Sequence, residues 1–245
     1  WKSSLNFTNV KNEVLSTDPN NNPINLGQNR ATLGNAVTAY VVGLPGPQIR
    51  AYDYKYDANG NIMVNNAGIP ERGELKNWGS VLPTVYGGWN NEFNYKSISF
   101  GVLVDYNFGN KVYDTWRGYY LGSGFGATFN KVQRQLDRWQ QAGDITDVPK
   151  YVYNGNKNFQ GASTFNLNDG SFVRVRDIQF GYTLPKAYAE KLKIGNANFY
   201  VRGTNLFTWV KDKNLPFDPE QGTSSATNLN VFIPKTVTVG LSLAF

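Results

Sequence analysis

Thr238-Val239-Gly240-Leu241-Ser242-Leu243-Ala244-Phe245, the last eight residues, alternate small or polar side chains with apolar ones and stop on an aromatic. Val239, Leu241, Leu243 and Phe245 fall in one phase, and period-two alternation is the mark of a strand with one apolar face. Working outward, 98–108 repeats the pattern, with Ile98, Phe100, Val102, Val104, Tyr106 and Phe108 in one phase. Just before it, 89–96 alternates with Glu92, Asn94 and Lys96 on its polar side, so the two predict a tight hairpin around Lys96-Ser97. Segment 196–209 alternates as well, and 1–10 sets Trp1, Leu5 and Phe7 against Lys2, Ser4, Asn6 and Thr8. Segment 172–184 changes phase between Val175 and Ile178, which is how a β-bulge near Arg176-Asp177 shows itself. Weaker strands at 35–43 and 48–57 bring the set to about eight.

The links between these strands alternate in length. Segments 11–34, 58–85, 109–171 and 210–234 are long and polar, while 44–47, 96–97 and 185–195 are short. Transmembrane barrels place long loops outside the cell and short turns in the periplasm. With a periplasmic C-terminus, every long segment falls on the extracellular side. The expected fold is therefore all-β: an antiparallel transmembrane β-barrel segment with long extracellular loops and short periplasmic turns. No run approaches the roughly 20 apolar residues of a membrane helix, so a bilayer would be met by alternating strands. The terminal stretch resembles the C-terminal insertion signal of bacterial outer-membrane barrels, which singles out Thr238, Gly240, Leu243 and Phe245.

Ser171-Phe-Val-Arg-Val-Arg-Asp-Ile-Gln-Phe-Gly-Tyr-Thr-Leu-Pro185, Phe199 to Trp209 followed by Phe217-Asp-Pro-Glu220, and Asn90 to Asp105 are three distinctive stretches. Together they resemble the SusC-like TonB-dependent outer-membrane transporters. Arg138-Trp139, Gly143-Asp-Ile-Thr-Asp-Val-Pro149 and the Asp57-Ala-Asn-Gly-Asn61 loop add to the likeness, all in family order. The resemblance covers about the last quarter of a family member, so residues 1–245 are expected to be the C-terminal portion of such a barrel. Signal, TonB box, plug and earlier strands would lie upstream of Trp1. It implies import of oligosaccharides or peptides across the outer membrane. It also implies a SusD-like surface lipoprotein as lid, energy from the TonB complex through the missing N-terminal part, contact with the rest of its own barrel, and no cofactor.

Other chemistry finds little support. The absence of His and Cys removes thiolate and His-based metal sites, His triads and disulfides. The acid pairs Glu71/Glu74, Asp144/Asp147 and Asp218/Glu220 carry no prediction that they face each other across a substrate, so no enzyme is expected. Asp57 to Asn61 lacks the register and terminal Glu of a calcium loop. A net charge of +6 with scattered basic residues argues against nucleic acid. Arg174, Arg176 and Arg202 lie in strands, where a lipid-facing Arg is costly, so they should face a lumen or an interface. With Trp116, Tyr119, Tyr120 and Trp139 of the longest loop, they are the candidates for substrate or lid contact. Phe125 and Phe129 share that loop, whose aromatics read equally as its own small core. Two alternatives stay open: a soluble carbohydrate-binding β-sandwich and a small standalone eight-stranded outer-membrane barrel.

Overall fold

A computed structural model describes residues 1–28, 37–66, 68–114, 116–121, 129–153, 164–220 and 231–245. Six strands make one continuous antiparallel sheet: β1 (Lys2–Asn9), β6 (Val85–Tyr95), β7 (Ile98–Phe108), β10 (Phe172–Thr183), β11 (Asn196–Val210) and β12 (Thr236–Ala244), in that spatial order. Between β1 and β6 the chain leaves this sheet and builds a second one. That sheet is β2 (Ile24–Gln28), β3 (Val37–Tyr40), β4 (Gln48–Tyr54) and β5 (Arg72–Ser80), paired in sequence order. A short ribbon of β8 (Lys111–Tyr113) and β9 (Leu167–Asp169) stands at the base of the longest connection.

The hairpin forms where the alternation places it. Tyr95 pairs with Ile98, and Lys96 turns the chain at φ 51°. The bulge is also present. Val173 and Val175 stand opposite Tyr106 and Val104, while Ile178, Phe180 and Tyr182 stand opposite Val102, Phe100 and Ile98. Arg176 is the extra residue between Val175 and Asp177, and it lets two apolar sets of opposite phase share one face. Terminal strand β12 pairs with β11 along its length, Val239 opposite Val201 and Leu241 opposite Phe199. On the other face, Tyr200 lies across Gly240 so closely that an added Cβ would meet its ring at 2.2 Å.

Two of the eight expected strands belong elsewhere. β3 lies within 35–43 and β4 takes up most of 48–57; both sit in the second sheet, so the continuous wall has six strands. Alternation identifies a strand but not its partner, and β4 shows the difference in its burial. Gln48, Ile49, Ala51, Asp53 and Tyr54 are all buried, so both its faces are covered. The parity of the links survives because a whole hairpin has been removed. The wall strands are joined by long, short, long, short and long connections, and 44–47 becomes a turn inside the first long one. Strands β2 and β5 fall within segments read as loop. The short link after β10 contains one helix, α2 (Lys186–Lys191), closed by Lys193 at φ 56°.

The hydrophobic cores lie in the connections rather than on the wall's apolar face. One cluster joins Ile49, Val81 and Tyr113; the other joins Tyr54, Leu121, Val148 and Phe165, with Ile62 and Tyr120 against it. The four-stranded sheet and the longest loop thus pack on each other as a cap. Among the described residues nothing covers the wall's apolar face in this way.

Candidate functional site

The wall is two-faced, and the faces are sorted without exception in β12: Val237, Val239, Leu241 and Leu243 on one side, Thr236, Thr238, Gly240 and Ser242 on the other. Following the register across the sheet, the apolar side presents Leu5 and Phe7, Trp89, Phe93 and Tyr95, Phe180 and Tyr182, Phe199, Phe207 and Trp209 to the outside. Val239 is 64% exposed and Leu5 66%. An apolar surface spanning six strands is far larger than a water-soluble domain leaves open.

Rings collect at the two ends of this band. Near the hairpin turns stand Trp1, stacked on Phe93 at 5.9 Å, and Phe100, 6.1 Å from Phe93. At the loop end, Tyr106 stacks on Phe108 at 5.9 Å and Phe207 on Trp209 at 6.2 Å. Between them run Val102 and Ile178, with Val104 and Val175 one pair nearer the loop end beside Trp89 and Phe207. Phe100 and Tyr106 are six residues apart on β7, which is about 20 Å of strand. An aliphatic waist between aromatic girdles matches the hydrocarbon core and interfaces of a bilayer.

The opposite face is polar and charged. It carries Glu92, Asn94, Ser99, Asp177, Gln179 and Arg202 around a concavity of about 360 Å³. Arg202 meets Asp177 at 2.5 Å and is half exposed. Toward the loops, Arg174 is almost fully buried: Nη2 donates to both oxygens of Asp218 at 2.7 and 2.8 Å, Nη1 to Glu220 at 2.8 Å, and Nε to Thr208 Oγ1 at 3.0 Å. Arg176 donates to Asp105 at 2.6 Å and to Glu220 at 2.8 Å. All three arginines face away from the apolar band, as the cost of charge in lipid requires. Asp218 and Glu220, which carried no prediction of a partner, are the acids that alternation could not place.

The loop aromatics divide. Trp139 is buried; Gly68, at φ 72°, lies against its ring, and Lys150 sits 5.6 Å from it. Tyr120 joins the second core cluster, and its hydroxyl donates to Asp114. Burial first, then the charge of Asp114, push the Tyr120 phenol up from its ordinary value. Trp116 and Tyr119 pack at 5.0 Å and stay partly exposed, with Phe129 5.3 Å from Tyr119. Phe125 lies outside the described residues.

Beneath them is a buried cluster that no motif announced. Arg117, at the start of α1 (Arg117–Tyr120), faces Asp114 at 3.5 Å and donates to Asn168 at 2.6 Å and to the Phe165 carbonyl. At the base of the cap, burial alone would push the Asp169 carboxyl up. The hydroxyl and N–H of Ser171, then the ammonium groups of Lys211 and Lys111, outweigh it and hold that carboxyl far below the usual range. Among the described residues no group of acids is placed to hold a metal ion, and no helix is long and apolar enough to cross a membrane.

These features define a class: the wall of an antiparallel β-barrel with a lipid-type face, a water-type face and a folded cap on its loop side. Comparison with known proteins narrows it. Over its whole length the chain is 26% identical to TonB-dependent receptor P26 of Formosa agariphila, covering 27% of that protein. Over 77% of its length it is 25% identical to TonB-dependent receptor P3 of the same organism. Its fold matches the RagAB peptide transporter with a TM-score of 0.79 at 23% identity, over 99% of this chain and 26% of that one. The RagAB peptide importer in its 'open-open' state gives a TM-score of 0.75 at 22% identity. No protein-family profile matches. The chain is thus similar in sequence to TonB-dependent receptors, in line with its motifs, and shares its fold with part of the RagAB structures. It spans about a quarter of the length of these relatives.

Proposed function

We propose that this chain is the C-terminal portion of the barrel of a TonB-dependent importer in the outer membrane. It would supply wall, lumen lining and extracellular cap for uptake of peptides or oligosaccharides. The observation that carries the reading is the sorting of the six-stranded sheet into a girdled apolar face and a charged face. Relatives named as TonB-dependent receptors and the fold of a peptide importer support the transport role. A SusD-like lipoprotein closes over the cap, and the TonB complex acts through parts of the protein outside this chain. Thr238, Gly240, Leu243 and Phe245 guide insertion of the closing strand. Trp116 and Tyr119, partly exposed on the cap, and Arg202, half exposed on the wall, are the accessible contacts for substrate or lid. Trp139, Tyr120, Arg174 and Arg176 support that surface through packing and ion pairs. Nothing in this role calls for a catalytic step.

Adjacent residues on opposite faces test the reading, because this sequence has no cysteine to compete. In the protein carrying this chain, otherwise freed of cysteine and held in outer membranes, Gln179→Cys should react with a water-soluble maleimide. Phe180→Cys should react only after detergent extraction. Equal reactivity of the two in intact membranes would exclude a membrane wall.

A further inference from the structure

Why the wall holds a nearly fully buried arginine is not explained by its facing a lumen, since a wet polar wall would solvate Arg174 without help. Instead, Arg174 is 1% exposed and its guanidinium is engaged on all three nitrogens. Removing such a charge from water is costly unless its partners are well placed. Thr208 of β11 takes Nε, but both carboxylates that pair with the charge come from one place, the connection that follows β11. Asp218 takes the forked contact; Glu220 bridges Arg174 and Arg176. Arg176 reaches Glu220 because it is the bulge residue, which puts charged side chains at 174, 176 and 177 on the polar face while Val175 and Ile178 stay on the apolar one. Asp218 also accepts the Glu220 N–H at 2.9 Å and the Ile233 N–H at 3.4 Å, so the same carboxylate holds the outgoing and returning arms of the connection. Asn205, at φ 54°, accepts from Arg176 and donates to the Pro234 carbonyl at 3.3 Å.

We propose that Arg174 and Arg176, with Asp218 and Glu220, form a clasp that pins the connection after β11 onto the polar face of the wall. The described ends of that connection, 217–220 and 231–234, are thereby a fixed part of the channel lining. The arginines are positioning residues, acting through the segment they hold. The clasp also explains why two of the stretches carrying the family resemblance, 171–185 and 217–220, occur together: they bind each other. The inference rests on the wall reading above, since only a lumenal face gives a pinned connection something to line.

The test uses the protein carrying this chain in intact outer membranes, with Phe217→Cys as reporter and a membrane-impermeant maleimide as probe. Phe217 is partly buried beside the clasp, so labelling should be slow. Arg174→Gln should raise its rate at least tenfold, and Asp218→Asn with Glu220→Gln should do the same without touching the sheet's own residues. An Ile145→Cys reporter, 76% exposed on the cap, should label at the same rate in all backgrounds. Arg174→Lys, which restores the charge without the forked geometry, should recover only part of the protection. Unchanged Phe217→Cys labelling in the loop-side double variant would overturn the clasp. So would a matching rise at Ile145→Cys, which would mean general loosening. Loss of the Gln179/Phe180 contrast in the unmutated protein would instead bring down the wall reading, and the clasp with it.

Discussion

Replacing Val102 and Leu103 in turn by arginine sets two neighbours on β7 against each other. Val102 lies in the aliphatic waist between Asn91 and Ile178, two residues from Phe100 and four from Tyr106. At the rise of a strand it is about 7 Å from one girdle and about 14 Å from the other. An arginine stem can lean part of the way toward the nearer interface, but the guanidinium starts well inside the hydrocarbon. The cost for Arg on a lipid face near the midplane is about 2–4 kcal/mol, which is roughly 30- to 700-fold in the assembly equilibrium. Leu103 is on the polar face, in register with Asp177 and beside the concavity that holds Glu92. An arginine there meets water and two carboxylates, so its effect should stay within about 1 kcal/mol. The assay is urea-titrated refolding of the full protein into lipid vesicles, followed by the migration shift of the folded barrel on a cold gel. Outer-membrane abundance in cells gives a second readout. Equal losses for the two variants, or a larger loss for Leu103→Arg, would refute the assignment of faces.

Deleting Phe245 should lower surface abundance, since the closing strand loses its terminal aromatic, and normal abundance would count against the insertion role. Gly68→Ala should loosen the cap, because it puts a Cβ in the left-handed region and 2.5 Å from the Trp139 ring. A cost of roughly 1–3 kcal/mol from crowding alone should appear as faster tryptic cleavage at Lys150, and unchanged cleavage would contradict that packing. The Asp169 carboxyl is held below its unfolded value, so its contribution is fully present above about pH 4 and lost as pH falls through the folded value. Protease resistance of 109–171 should therefore be flat from neutral pH down to about 5 and fall below about 4. In Asp169→Asn that acid-dependent step should shrink; a step of the same size would rule out Asp169 as its source.

Alternation alone placed Val239, Leu241 and Leu243 on one face, found the Lys96-Ser97 turn and marked the slip at Arg176, because side-chain direction in a strand is a local property of period two. The long and short links between wall strands were legible for the same local reason: turn lengths are written in the chain. Which strands pair is decided by contacts distant in sequence. Strand β4, one of the weaker alternating stretches, reads as a strand without saying which sheet it joins, and its Ile49 and Tyr54 are covered by Val81, Tyr113, Val148 and Phe165, which draws it into the cap. The partners of Arg174 were likewise beyond reach, since Asp218 follows it by 44 residues and only the fold brings the two to 2.7 Å. Local chemistry determined the faces; tertiary packing decided which strands form the wall and which charges meet on it.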